Sequence, residues 1–121
     1  MPLKKLLVAT LSTTCLLSSG AWAHAHLQSQ TPAADGTVAA PEKIELVFSE
    51  GIEAQFSQID VTTATGQPVA AQPLKVTSDD CKTLVLELNA PLAAGNYKVN
   101  WRVRSVDTHK SAGSYRFTVG Q

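Results

Sequence analysis

Residues 96–106 alternate apolar and polar side chains one by one. Tyr97, Val99, Trp101 and Val103 fall on one side; Lys98, Asn100, Arg102 and Arg104 fall on the other. Successive side chains of an extended chain point to opposite faces. A stretch patterned this way is satisfied as a strand with one face buried and the other in water, and any fold for this chain must supply a sheet and a core for it.

The same period recurs elsewhere. Ile44, Leu46 and Phe48 alternate through 42–48, Ile59 and Val61 through 56–63, Leu84, Leu86 and Leu88 through 82–88, and Tyr115, Phe117 and Val119 in the last strand. Leu27-Gln28-Ser29-Gln30 reads as a short first strand ended by Thr31-Pro32. Residues 69–76 read as an edge strand or loop because Pro73 cannot donate to a ladder. Turn chemistry separates these runs at Ala33-Ala34-Asp35-Gly36, Ser49-Glu50-Gly51, Ala64-Thr65-Gly66-Gln67-Pro68 and Ser78-Asp79-Asp80. About seven short strands without sustained helical periodicity predict an all-β domain, an antiparallel β-sandwich of Ig-like type. Tyr97, Trp101, Tyr115 and Phe117 are expected in its core.

The first 23 residues have a different character. Lys4 and Lys5 precede a mostly apolar run from Leu6 to Leu17, and Ala21-Trp22-Ala23 places small residues where a signal peptidase needs them. The apolar run is about 12 residues long, against the roughly 20 that span a bilayer. We therefore expect residues 1–23 to be a cleaved export signal and residues 24–121 to be the mature domain. Lipidation at Cys15 is the alternative; Ser12-Thr13-Thr14 lacks the branched apolar residue such a signal usually carries. Removing Lys4 and Lys5 from the 10 basic and 10 acidic residues of the chain leaves a net charge of −2. That balance gives no reason to expect nucleic acid or an anionic membrane as partner. Of the 2 cysteines only Cys81 would survive processing, so the exported domain is expected to hold together by packing alone.

Cleavage after Ala23 would give His24 a free amine beside its imidazole. Two of the chain's 3 histidines, His24 and His26, lie here. The third follows the clearest strand, in Ser105-Val106-Asp107-Thr108-His109. Alone, Asp107-Thr108-His109 is a weak motif that reads first as a solvated turn in which Asp107 caps backbone N–H groups. With the His24 amine and imidazole it becomes a set of nitrogens and one carboxylate, suited to tetragonal Cu(II). Zinc in a structural site would prefer a closed tetrahedron, usually with thiolates.

These residues resemble the CopC-type copper-resistance family of the bacterial periplasm, including its YobA-like branch. The resemblance is carried by His24-Ala25-His26-Leu27, Thr31-Pro32-Ala33, 40–46 with Phe48-Ser49-Glu50, Phe56-Ser57, and the tail from Gly95 through Ser105-Val106-Asp107-Thr108-His109 to Val119. It implies a Greek-key β-sandwich or barrel, cupredoxin-like in outline, that binds Cu(II) through His24, Asp107 and His109. It implies a carrier or buffer in periplasmic copper homeostasis, not an enzyme, monomeric, with an inner-membrane copper-transport protein as a partner. Some members add a Cu(I) site of methionines and a mid-chain histidine. Here the only methionine is Met1 and no histidine lies between His26 and His109, so that site is not expected.

Two residues are candidates for an accessory role, Glu50 and His26. An N-terminal x-x-His tripeptide can also wrap Cu(II) with two deprotonated amides and the His26 imidazole, provided the N-terminus is loose. Two other functional classes stay open on sequence grounds: a copper oxidase of histidine-brace type, and a metal-free Ig-like interaction module. Cys81 is expected to be an unpaired thiol near a turn.

Overall fold

The computed structural model describes residues 25–120; the proposed signal, His24 and Gln121 lie outside that range. Two four-stranded sheets face each other. One has the order β1-β3-β6-β5, from Leu27–Thr31, Lys43–Phe48, Thr83–Glu87 and Lys75–Val76. The other has the order β2-β8-β7-β4, from Thr37–Val38, Lys110–Val119, Gly95–Arg104 and Gln58–Thr63. All pairings are antiparallel except the two-residue β2, which lies parallel to β8. An element that short carries no alternation and leaves no signal in the sequence.

The core is made of the side chains that alternation selects. Ile44, Leu46 and Phe48 of β3 meet Leu84 and Leu86 of β6, and across the sandwich lie Ile59, Val61, Tyr97, Val99, Trp101, Val103, Tyr115, Phe117 and Val119, all buried. Each fully buried side chain of this size contributes about 1.5–3 kcal/mol through the area removed from water. The aromatics interlock: the Phe48 and Trp101 rings meet edge-on at 5.2 Å, and Tyr97 stacks on Phe117 at 5.6 Å. The Tyr97 hydroxyl donates to the Ala93 carbonyl at 2.7 Å. Among the described residues the buried Tyr115 hydroxyl has no hydrogen-bond partner, and burial pushes its phenol above the ordinary range.

Two boundaries differ from the sequence reading. The strand expected from Phe56 begins at Gln58, because Ala54–Phe56 form a 3-10 turn. The Phe56 amide bonds to the Glu53 carbonyl at 3.1 Å, and the Ser57 hydroxyl bonds to the same carbonyl at 2.8 Å. Phe56 is thereby left 55 % exposed, outside the core. The last strand starts at Lys110, so the connection between β7 and β8 is only Ser105 to His109. That short turn is what brings Asp107 and His109 together.

Candidate metal centre

Three backbone segments meet at one end of the sandwich. In the turn from β7 to β8, the Ser105 amide donates to the His109 carbonyl at 2.8 Å, and the Thr108 amide donates to the Ser105 carbonyl at 2.8 Å. The turn closes with Thr108 at φ 75°, in the left-handed region, an unfavourable place for a β-branched residue. The 49–52 segment lies against it: the Val106 amide donates to the Gly51 carbonyl at 2.9 Å, and Ile52 bridges Ser105. The third segment is the start of the described chain. The His26 amide donates to Ser49 Oγ at 2.8 Å, and its carbonyl accepts from the Ser49 amide at 2.9 Å. Ala25 is buried, and its carbonyl accepts a hydrogen bond from the Ser111 hydroxyl at 3.0 Å.

Asp107 and His109 face one another within this assembly. His109 Nδ1 lies 3.1 Å from Asp107 Oδ1. The same oxygen accepts the Ser105 hydroxyl and, at 3.3 Å, the His109 backbone N–H. The Ser105 hydrogen bond, followed by those from His109, holds the Asp107 carboxyl below its usual range despite some desolvation. The carboxylate is thus ionised wherever the fold persists near neutral pH. With Nδ1 turned to a carboxylate, Nε2 is the imidazole nitrogen that a metal would take, as in carboxylate–histidine–metal arrangements. The Nε2 nitrogen of His109 and, after a change of rotamer, the Asp107 carboxylate are the donors this turn could offer a metal. In this rotamer Asp107 orients the imidazole.

Ser105 is the residue of this candidate site that sequence reading passed over. It has no exposed surface, and its hydroxyl reaches both Asp107 Oδ1 and, at 3.2 Å, the His109 carbonyl. The available signal was its position: a serine at the last inward step of an otherwise apolar face, where Val103 precedes it.

The remaining candidates fall as follows. Glu50 sits between Ser49, which holds His26, and Gly51, which holds Val106, so it belongs to the same end of the molecule. His26 is exposed, with its amide and carbonyl both committed to Ser49. Among the described residues no three His, Cys, Asp or Glu side chains converge as a metal-binding group; His24, the third member of the predicted set, lies outside them. Cys81 corrects an expectation. Among the described residues it is not a free thiol, in contrast to the unpaired thiol expected of it.

The CopC domain family matches residues 27–120. The chain belongs to the CopC family. It is 44 % identical over 108 residues to Protein YobA of Escherichia coli K12, covering 88 % of this chain and 87 % of that protein. It is also 44 % identical over 109 residues to copper resistance protein C of Pseudomonas syringae pv. tomato, covering 86 % of each. Among solved structures, PcoC, a methionine-rich copper resistance protein from Escherichia coli, superposes with a TM-score of 0.74 at 44 % identity, over 81 % of this chain and all of that one. This CopC-family chain has a single methionine, Met1.

Proposed function

We propose that this protein is a periplasmic carrier or buffer that holds one Cu(II) ion with the amine and imidazole of a processed His24 together with Asp107 and His109. The observation that carries the reading is the paired Asp107–His109 turn set beside the anchored Ala25. Ser111, whose hydroxyl grips Ala25, is two residues beyond His109. Successive Cα atoms of a chain are about 3.8 Å apart across a trans peptide, so a ligand one residue before Ala25 has a short reach from that anchor. The chain that leads to the proposed N-terminal ligand is therefore tied to the strand that leads from His109. The names of the copper resistance relatives point to the same cargo.

The donor set fits oxidised copper. It offers nitrogens and a carboxylate, and the mature chain would carry no thioether for Cu(I). The committed His26 amide opposes the tripeptide mode, which must deprotonate that same N–H. Loading and release are ligand exchange without bond-making chemistry, and protons compete with the metal for its nitrogen donors. His26 and Glu50 stand nearby as accessory groups.

The test is a Cu(II) titration of the processed protein followed by electron paramagnetic resonance. One equivalent should give a tetragonal spectrum with nitrogen coupling. It should be lost in His24→Ala and His109→Ala and largely kept in His26→Ala. An unchanged spectrum in His109→Ala would sink the assignment.

A further inference from the structure

The cations of this domain are not spread evenly. Of the eight lysines and arginines among residues 25–120, five project from the outer face of the β4-β7-β8 sheet: Lys98, Arg102, Arg104, Lys110 and Arg116. Two of the cross-strand pairs there are like charges directly opposite one another, Arg104 with Lys110 and Lys98 with Arg116. Such pairs destabilise a sheet, so the face carries a charge pattern that folding alone does not favour. Asp60 is the one carboxylate on these strands that shares it, and Asp60 accepts a hydrogen bond from Gln58. A net charge of −2 conceals this asymmetry.

At the end of the face nearest the Asp107–His109 turn there is a groove of about 560 Å³ between the 3-10 turn and the strand ends. Phe56 forms one wall, with the Arg104 guanidinium stacked on its ring at 4.7 Å. Arg104 also lies 3.6 Å from Glu53. Arg102 and Lys110 have no carboxylate partner among the described residues; Arg102 donates only to the neutral Gln58, at 2.7 Å. Exposed aromatic and arginine side chains around a concavity are the composition of interface hot spots. Lys110 follows His109 directly, and Ser111, which anchors Ala25, lines the same groove.

We propose that this surface, built on Phe56, Arg102, Arg104 and Lys110, is the docking site for a carboxylate-rich segment of a partner protein that seats one apolar side chain in the groove. A protein segment fits better than a lipid surface, because the cations surround a concave aromatic pocket instead of a flat plane. The role of the docked segment in metal exchange rests on the copper-carrier reading; the docking itself does not.

The probe is a fluorescein-labelled synthetic peptide with aspartates and glutamates flanking a single leucine, titrated by fluorescence anisotropy into the processed protein with and without one equivalent of Cu(II). Binding should weaken as salt rises. Arg102→Glu should lower the affinity about tenfold, the order expected for reversing a charge that faces the ligand, and Phe56→Ala should lower it as well. Lys75→Glu, the same charge change on the other sheet, should leave it unaltered. Equal weakening by Arg102→Glu and Lys75→Glu would reduce the effect to net charge and overturn the proposal, as would absence of peptide binding. Sedimentation of the protein with phosphatidylglycerol vesicles, lost in Arg102→Glu while the peptide fails to bind, would replace it with a lipid site. Copper titration of the same samples separates the two readings: a failed metal site with intact peptide binding refutes the carrier alone, and the converse refutes the docking face alone.

Discussion

Gly113→Ala offers a stability test whose sign is contested between two effects. Gly113 lies opposite Trp101 in the β7–β8 ladder, and the indole ring covers it. A Cβ built there would stand 2.5 Å from Trp101 Cζ2 and 2.9 Å from Cε2. These are ring atoms of a buried side chain braced by Phe48 at 5.2 Å, so the ring cannot swing clear as a flexible chain end would. Gly113 itself has no left-handed φ. On backbone grounds alone alanine should therefore stabilise the protein by about 0.4–1 kcal/mol, through a less disordered unfolded chain. Overpacking a core costs about 1–3 kcal/mol, so the clash should win. At about 1.3 kcal/mol net, the melting midpoint of a domain of this size should fall by about 5–10 °C. Calorimetry reads the shift, and near-ultraviolet circular dichroism reads the displaced indole. In a Trp101→Phe background, where the clashing ring atoms are gone, the same substitution should cost much less, giving a coupling between neighbours. A Gly113→Ala protein that melts at or above the parent, or strict additivity with Trp101→Phe, would refute the packing described for this face.

Three further outcomes are expected. Ser105→Ala removes the largest influence holding the Asp107 carboxyl low; its pKa, followed by carbon-13 NMR, should move up toward the ordinary 3.8, and Cu(II) affinity should fall while the tetragonal spectrum survives. Thr108→Gly relieves a left-handed β-branched residue, a strain on the order of 1–3 kcal/mol, against a glycine entropy cost of up to about 1 kcal/mol; denaturant unfolding should show a small gain or no change, and a clear loss would contradict the φ of 75° at this turn. On acidification, the carboxylates of Asp107 and Asp80, both lowered chiefly by serine hydrogen bonds, contribute stability that is complete above the ordinary value of 3.8 and is lost only as pH falls through their lower folded values. Copper release at pH values above that range should therefore follow protonation of nitrogen donors, with which protons compete; buffer-corrected calorimetry should detect proton release on binding, and a constant proton count would contradict the ligand set.

Much of the sandwich was legible because burial on one face imposes a period of two. Ile44, Leu46, Phe48, Val99, Trp101 and Phe117 were all placed in the core by alternation alone, and all are buried. Phe56 misled for the same reason. Its apolar side chain extended the pattern of β4 by two residues, while local hydrogen bonding by Ser57 and Glu53 turned the backbone and put the ring on the surface. At the candidate site the residue types were legible but the hydrogen bonds between them were not. Asp107 and His109 stand out as types, whereas the work of Ser105 depends on where its hydroxyl points, which spacing does not encode. The clustering of cations was hidden differently: net charge sums over all faces, and only strand register shows that Arg104 meets Lys110 and Lys98 meets Arg116.

If the chain is cut after Ala23, the burial of Ala25 sets an order of events. A peptidase cutting after Ala23 needs residues on both sides of the scissile bond extended and accessible, yet two residues downstream the chain is packed in the core and held by Ser111. Cleavage there would have to come before this end of the sandwich closes. Export and processing would then act on an open chain, and the docking of Ala25 would be the step that converts a newly made terminus into a fixed one.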